Sequence, residues 1–325
     1  VRANTPPTQQ SPGIGAGNLA VVINIADPLS VAIGEYYARQ RHVPVPNIAR
    51  VRFGYHRSVM PATEFSQLKA AVDAQLPITI QAYALTWTQP YRVDCMSITA
   101  AFAFGFDERY CASGCATTQL SPYFDSRASR PYDELHVRPT MSIAAVSFEQ
   151  AKALIDRGVR ADGTRPRGEA YLVISGDAAR DVRASQYRDA LMLVGNRISA
   201  QVVPSGPIWD RDDVMFYFIG AASVAGLDSN HFLPGAVGDH LTSYGGALTD
   251  GSQMSALRWL EAGATGSYGT VVEPCNLTAK FPNTGLMMRH YLAGETLVEA
   301  YWKSVAMPGQ GLFIGEPLAT PFRPH

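Results

Sequence analysis

The last third of the chain holds three strand-like runs that each end in a turn of small residues. This pattern constrains the fold more than any other feature. The runs read VMFYFIGAAS (Val214 to Ser223), GDHLTSYGG (Gly238 to Gly246) and GATGSYGTVVEP (Gly263 to Pro274), and FIGEPLATPF (Phe313 to Phe322) closes the series. Apolar strands followed by tight turns suit an open parallel sheet, where ligands and chemistry gather at the carboxyl ends of neighbouring strands. The same logic applies upstream. Leu19 to Ile25 (LAVVINI) is a continuous apolar run of strand length, as a parallel strand buried on both faces requires. Asp27-Pro28 then supplies an N-cap and a first-turn proline for a helix to about Arg41.

Further strands are expected near Ile48–Phe53, Ile78–Leu85, Tyr171–Ser175 and Gln201–Val203, with helices near Ala62–Leu76, Phe148–Arg157 and Ser185–Ile198. Strands alternating with helices predict an α/β fold with a largely parallel central sheet flanked by helices, as one unit or two α/β subdomains. The expected divisions are a polar lead-in over 1–17, an N-terminal α/β subdomain over 18–160 and a C-terminal one over 161–325. An irregular, proline- and tyrosine-rich insertion over 86–140 interrupts the first. RADGTRPR (Arg160 to Arg167) is the best boundary between them.

Composition narrows the setting. Net charge is −1, so no basic surface points to nucleic acid. No apolar run is long enough for a transmembrane helix. Only 17% of the 325 residues are charged, against about 25% in a typical soluble domain, which fits an exported protein. The opening VRANTPPTQQSPGIG has neither a basic nor an apolar leader segment, so a signal peptide is expected to be absent from this sequence. Four cysteines allow two disulfides. Cys111 and Cys115 lie in CASGC, a spacing that favours a Cys111–Cys115 loop and leaves Cys95 for Cys275. Zinc ligation would need nearby histidines or paired short spacings, and free thiols are the other alternative.

The candidate chemistry sits in the turns. Ser243 or Thr242 is a potential nucleophile, with His240 or His231 as base. On an extended strand Thr242 shares the face of His240 and Ser243 does not. The bland reading is that His240 caps the strand while both hydroxyls satisfy turn backbone. Gly220, Ser223, Gly245, Gly246, Glu273 and Asp177 are the expected lining of one concave pocket. Cys275 is reactive only if unpaired. Asp210, Asp212 and Asp213 resemble half of a calcium site, or a solvated loop, and no other cofactor is expected. Arg180 and Arg183 are suited to holding a carboxylate or to forming ion pairs.

The strings VVINIADPLSVAIGEYYARQRHVP, ISGDAARDVRASQY, GDHLTSYGG, GTVVEP and IGEPLATPF resemble a family of exported bacterial proteins associated with exosortase, the PEP-CTERM sorting system. That resemblance runs from about Leu19 to Phe322 and implies an exported protein. More distantly, the order of turns is similar to the gingipain-like peptidases of the caspase-type fold. Their pattern places a His-Gly turn after one strand, a nucleophilic cysteine after the next, and a late Gly-Asp-Pro. Here Ala221 and Ala222 stand in the region of the histidine, Thr242 and Ser243 in that of the cysteine, and Gly315-Glu316-Pro317 closes the pattern. The resemblance implies a caspase-like module without thiolate–imidazole catalysis. Such a module would bind a peptide, a glycan or a sorted surface protein. The alternative is a peptide or ester hydrolase that uses Ser243 or Thr242.

Overall fold

The computed structural model describes residues 13–324. The first twelve residues of the expected lead-in lie outside the described residues. Its end is anchored, because Ile14 is fully buried and its N–H donates to Glu299 Oε1 at 3.2 Å.

In chain order the first part comprises β1 (Leu19–Asn24), α1 (Pro28–Gln40), β2 (Ile48–Val51), β3 (Val59–Met60), α2 (Ala62–Asp73), β4 (Ala82–Leu85), β5 (Arg92–Val93) and β6 (Met96–Ser97). Then come α3 (Ile98–Phe104), α4 (Pro131–Leu135), β7 (Thr140–Ser142), α5 (Phe148–Ala161), β8 (Glu169–Val173), α6 (Tyr187–Val194), β9 (Ser199–Val203) and β10 (Val214–Gly220). The chain closes with β11 (Phe232–Leu241), α7 (Leu257–Ala262), β12 (Gly266–Thr270), α8 (Thr284–Leu292), α9 (Leu297–Ser304) and β13 (Gly311–Gly315). Asp27 caps α1 as its sequence position requires, its carboxylate accepting from Leu29 N.

Ten strands form one sheet in the order β2-β1-β4-β7-β13-β12-β11-β10-β8-β9. The strands of β2-β1-β4-β7 pair in parallel, as do those of β12-β11-β10-β8-β9. β13 is antiparallel to β12 and is bridged to β7 through Ile314 and Ser142. The fold is therefore α/β around a large, mostly parallel sheet, consistent at this coarse level with a caspase-like arrangement. Helices cover both faces. Successive β11 residues show this, since Asp239 meets Arg183 just before α6 whereas His240 meets Trp259 of α7. A small second sheet pairs β3 with β5 and β6, the two strands at the start of the insertion.

Two features lock the parts together. Arg41, at the end of α1, donates from Nε to Glu316 Oε1 at 2.9 Å and pairs with the second oxygen of Glu316 and with Asp162. Glu316 is fully buried, so this multiply bonded clamp joins α1, the end of α5 and the segment after β13 in a region that screens it little. The second feature is a pair of disulfides, Cys95–Cys111 and Cys115–Cys275, with Cα–Cα separations of 5.4 and 5.3 Å. All four cysteines are paired, but the expected Cys111–Cys115 and Cys95–Cys275 connectivity is not the one formed. Gly114 turns through the left-handed region (φ +57°), and Cys115 joins the loop after β12 instead of Cys111. Local spacing shows that a loop can close; the tertiary neighbours decide whether it does.

Candidate functional site

The carboxyl ends of β8, β10, β11 and β12 bring together most of the residues singled out from the sequence. After β8, Ser175 and Gly176 donate their backbone N–H groups to the Asp181 carboxylate at 2.9 and 2.8 Å. Asp177 accepts from Ala179 N and holds Arg180 Nη1 at 2.6 Å. This self-capped loop carries Arg180 over the end of β10. A Cβ on Gly220 would lie 2.1 Å from the Arg180 carbonyl oxygen, so only glycine admits the crossing.

Thr242 follows β11 and is completely buried. Its hydroxyl donates to Gln253 Oε1 at 2.8 Å and accepts from Arg180 Nε at 3.2 Å. The same Gln253 oxygen accepts from Tyr244 N at 2.8 Å. The hydroxyl is thus fixed in both of its roles, as a buried polar group must be. Ser243 is half-buried, and its carbonyl accepts from Thr270 Oγ1 at 2.9 Å.

His240 is not joined to either hydroxyl. Trp259 Nε1 donates to its Nδ1 at 2.9 Å, and an indole N–H can only donate. The imidazole proton therefore sits on Nε2, which faces Met254 O at 3.0 Å. Burial pushes the His240 pKa down to about 4, so the ring is a neutral packing element across the physiological range. His231 lies before β11, on roughly 30 Å of strand from Thr242, with its Nδ1 against Asp212 O. Among the described residues no imidazole nitrogen is hydrogen-bonded to Thr242 or Ser243.

The small-residue turns do converge, yet their glycines serve backbone contact in place of the open space expected from the sequence. A Cβ on Gly246 would lie 2.6 Å from Gly269 O, and one on Gly269 would lie 2.3 Å from Gly245 C. Gly246 N donates to Thr270 O at 2.9 Å, seating the turn directly on β12. Glu273 Oε1 accepts from Cys275 N at 2.8 Å, and the disulfide takes Cys275 out of nucleophilic chemistry. Nearby, burial lowers the pKa of Lys280, with Glu273 opposing that shift. The loop after β11 is braced from outside: Gln89 Nε2 donates to Thr249 Oγ1 at 2.6 Å, and Ser58 and Tyr91 both donate to Asp250.

Ser223 turns away from this cluster. It lines a trough of about 490 Å³ with Trp209, Asp228, Met254, Arg258 and Glu261. Of the two expected arginine partnerships, Arg180 holds half-buried Asp177, while Arg183 and Asp239 form an ion pair with both side chains only 1% exposed. Asp213 accepts from Tyr171 OH at 2.7 Å, and among the described residues no three His, Cys, Asp or Glu side chains group as a metal site would require. Sequence reasoning missed Gln253, Trp259 and Trp209. Nothing in their local patterns marks them, because each acts across a loop. Comparison with known proteins finds no matching family, no matching curated relative and no matching solved structure.

Proposed function

We propose that this chain is an exported, catalytically silent caspase-like module that recognises a peptide, a glycan or a surface protein. The observation that carries this reading is the Thr242 hydroxyl, buried and held between Gln253 and Arg180. A nucleophile needs a base within hydrogen-bond reach and a path for substrate. Here the nearest histidine in sequence, His240, has both nitrogens engaged elsewhere. Ala221 and Ala222 occupy the region in which a gingipain-like enzyme carries its histidine. Export is supported by the two disulfides, which persist in oxidising compartments. The described helices include none long and apolar enough to cross a membrane.

The test is turnover. Wild type, Ser243→Ala and Thr242→Val are assayed on a panel of chromogenic peptides and esters, with no turnover expected from any of them. Turnover by the wild type that disappears in Ser243→Ala overturns the reading in favour of a serine hydrolase. Non-reducing peptide mapping should find the Cys95–Cys111 and Cys115–Cys275 links; four free thiols in material from an oxidising compartment would count against export.

A further inference from the structure

Between β10 and β11 the chain does not form a long crossover helix. Residues 221–231 fold as a loop with one 3-10 turn, leaving the Ser223 trough open beside α7. Trp209 stands at its edge with 53% of its surface exposed, whereas Trp87, Trp259 and Trp302 are at most 2% exposed. A lone exposed apolar side chain is unremarkable on a loose loop. This one sits on a loop held from several directions.

Asp210 N donates to Ser229 Oγ at 3.0 Å, and Arg211 N donates to Asn230 Oδ1 at 3.1 Å. Asn230 Nδ2 donates to Ile208 O at 3.1 Å and to Gly226 O at 2.7 Å. Ile208 N donates to Tyr217 OH at 3.2 Å. Asp210, the residue after the tryptophan, is held in the left-handed region at φ +51°, an uncommon and costly conformation for a residue other than glycine. Beneath the indole lies Gly226, also left-handed at φ +71°, where a Cβ would come within 2.5 Å of Trp209 Cε3. The backbone therefore backs one part of the ring system closely while half of the side chain stays in water. Hydrogen bonds, a strained residue and an obligatory glycine all hold an aromatic surface that the core does not need.

We propose that this trough is a carbohydrate-binding subsite for a neutral glycan, with a sugar ring stacked on the Trp209 indole. The proposal rests on the binding reading above and names its ligand class. Trp209 offers a rigid, broad apolar face with little conformational entropy left to lose. Asp228 and the ion-paired Arg258 and Glu261 supply acceptors and donors for ring hydroxyls along the same trough. With two carboxylates against one guanidinium, the lining disfavours uronic or sialic acids. A peptide bound by adding a strand would need a free strand edge to extend. The backbone groups of Ile208, Asp210, Arg211 and Gly226 at this wall are already engaged in the cross-bracing.

The test uses the tryptophan fluorescence of the whole chain, in which Trp209 is the exposed indole, under titration with maltotetraose, cellotetraose and chitotetraose. Binding of at least one of them is expected to shift the emission and protect it from iodide quenching. Trp209→Ala should weaken that binding by at least about tenfold in calorimetry, and Asp228→Asn by a few fold. Both variants should keep the wild-type melting temperature. No calorimetric or spectral response to any of the three at about 10 mM overturns the proposal. So does equal affinity in Trp209→Ala, or a trough that takes only aromatic or basic peptides. Those failures leave catalytic silence standing, whereas peptide or ester turnover alongside intact glycan binding removes the silent-module reading and spares the subsite.

Discussion

The carboxyl end of β11 and the Ser223 trough both touch Met254 and are built in opposite ways. At the strand end the candidate hydroxyl and imidazole are both engaged inside the fold: Thr242 is held by Gln253 and Arg180, His240 by Trp259 and Met254. In the trough a comparable set of bonds holds a loop whose side chain, Trp209, is left facing solvent. Saturated polar contacts turn a place where a nucleophile is expected into packing. Saturated backbone contacts around a free aromatic face instead prepare a surface for an outside partner. Where the bonding capacity goes distinguishes the two regions better than which residue types are present.

The comparison breaks most visibly if the sealed region tolerates loss of its charge pair. Asp239→Ala should cost about 3–5 kcal/mol in urea unfolding, because Arg183 would remain buried and unpaired. A cost below about 1 kcal/mol would mean that water reaches this layer. Acid should act next. The unfolded His240 titrates near 6.5 and the folded one near 4, so the unfolded chain takes the proton first as the pH falls. The contribution is whole above about pH 6.5 and shrinks toward pH 4, by about 2–3 kcal/mol between pH 7.5 and 4.5. Unfolding curves at the two pH values should show this slope reduced in His240→Gln; an unchanged slope would place the imidazole in solvent.

Smaller effects sharpen the contrast. Thr242→Val keeps the shape but removes one donor and one acceptor, which should cost about 1–2 kcal/mol in chemical denaturation. On the other side of the comparison, Trp209→Ala should change stability by no more than about 0.5 kcal/mol, as expected of a side chain with 53% of its surface in solvent. A larger loss would make Trp209 a structural prop.

Much of the framework was legible from the sequence. LAVVINI, the run ending in Val173 and VMFYFIG all form strands, since burial on both faces leaves an uninterrupted apolar signature. β11 begins at Phe232, ahead of the run expected from Gly238, because Pro234 and Gly235 read as punctuation. In the structure they lie at a register shift between β10 and β11, where a missing N–H and a φ of +88° are accommodated. The insertion was legible only as irregular, and the short α3 within it is buried throughout most of its length. The surroundings of Thr242 were not legible at all. Gln253 and Arg180 lie 11 and 62 residues away from it, and no local pattern encodes a meeting of loops. Cysteine pairing was hidden for the same reason, with Cys115 and Cys275 separated by 160 residues.

The position of β13 bears on how the chain comes off the ribosome. Gly311–Gly315 follows every other strand of the sheet along the chain, yet it occupies the fifth place of ten, between β7 and β12. Until it emerges, the two neighbouring strands present open edges, and Arg41 waits without Glu316. The two halves can each gather their own parallel strands during translation, but the sheet closes only once β13 has emerged. A chain ending at Gln310 should therefore carry two unprotected edges and associate through them, which light scattering of the truncated protein would register.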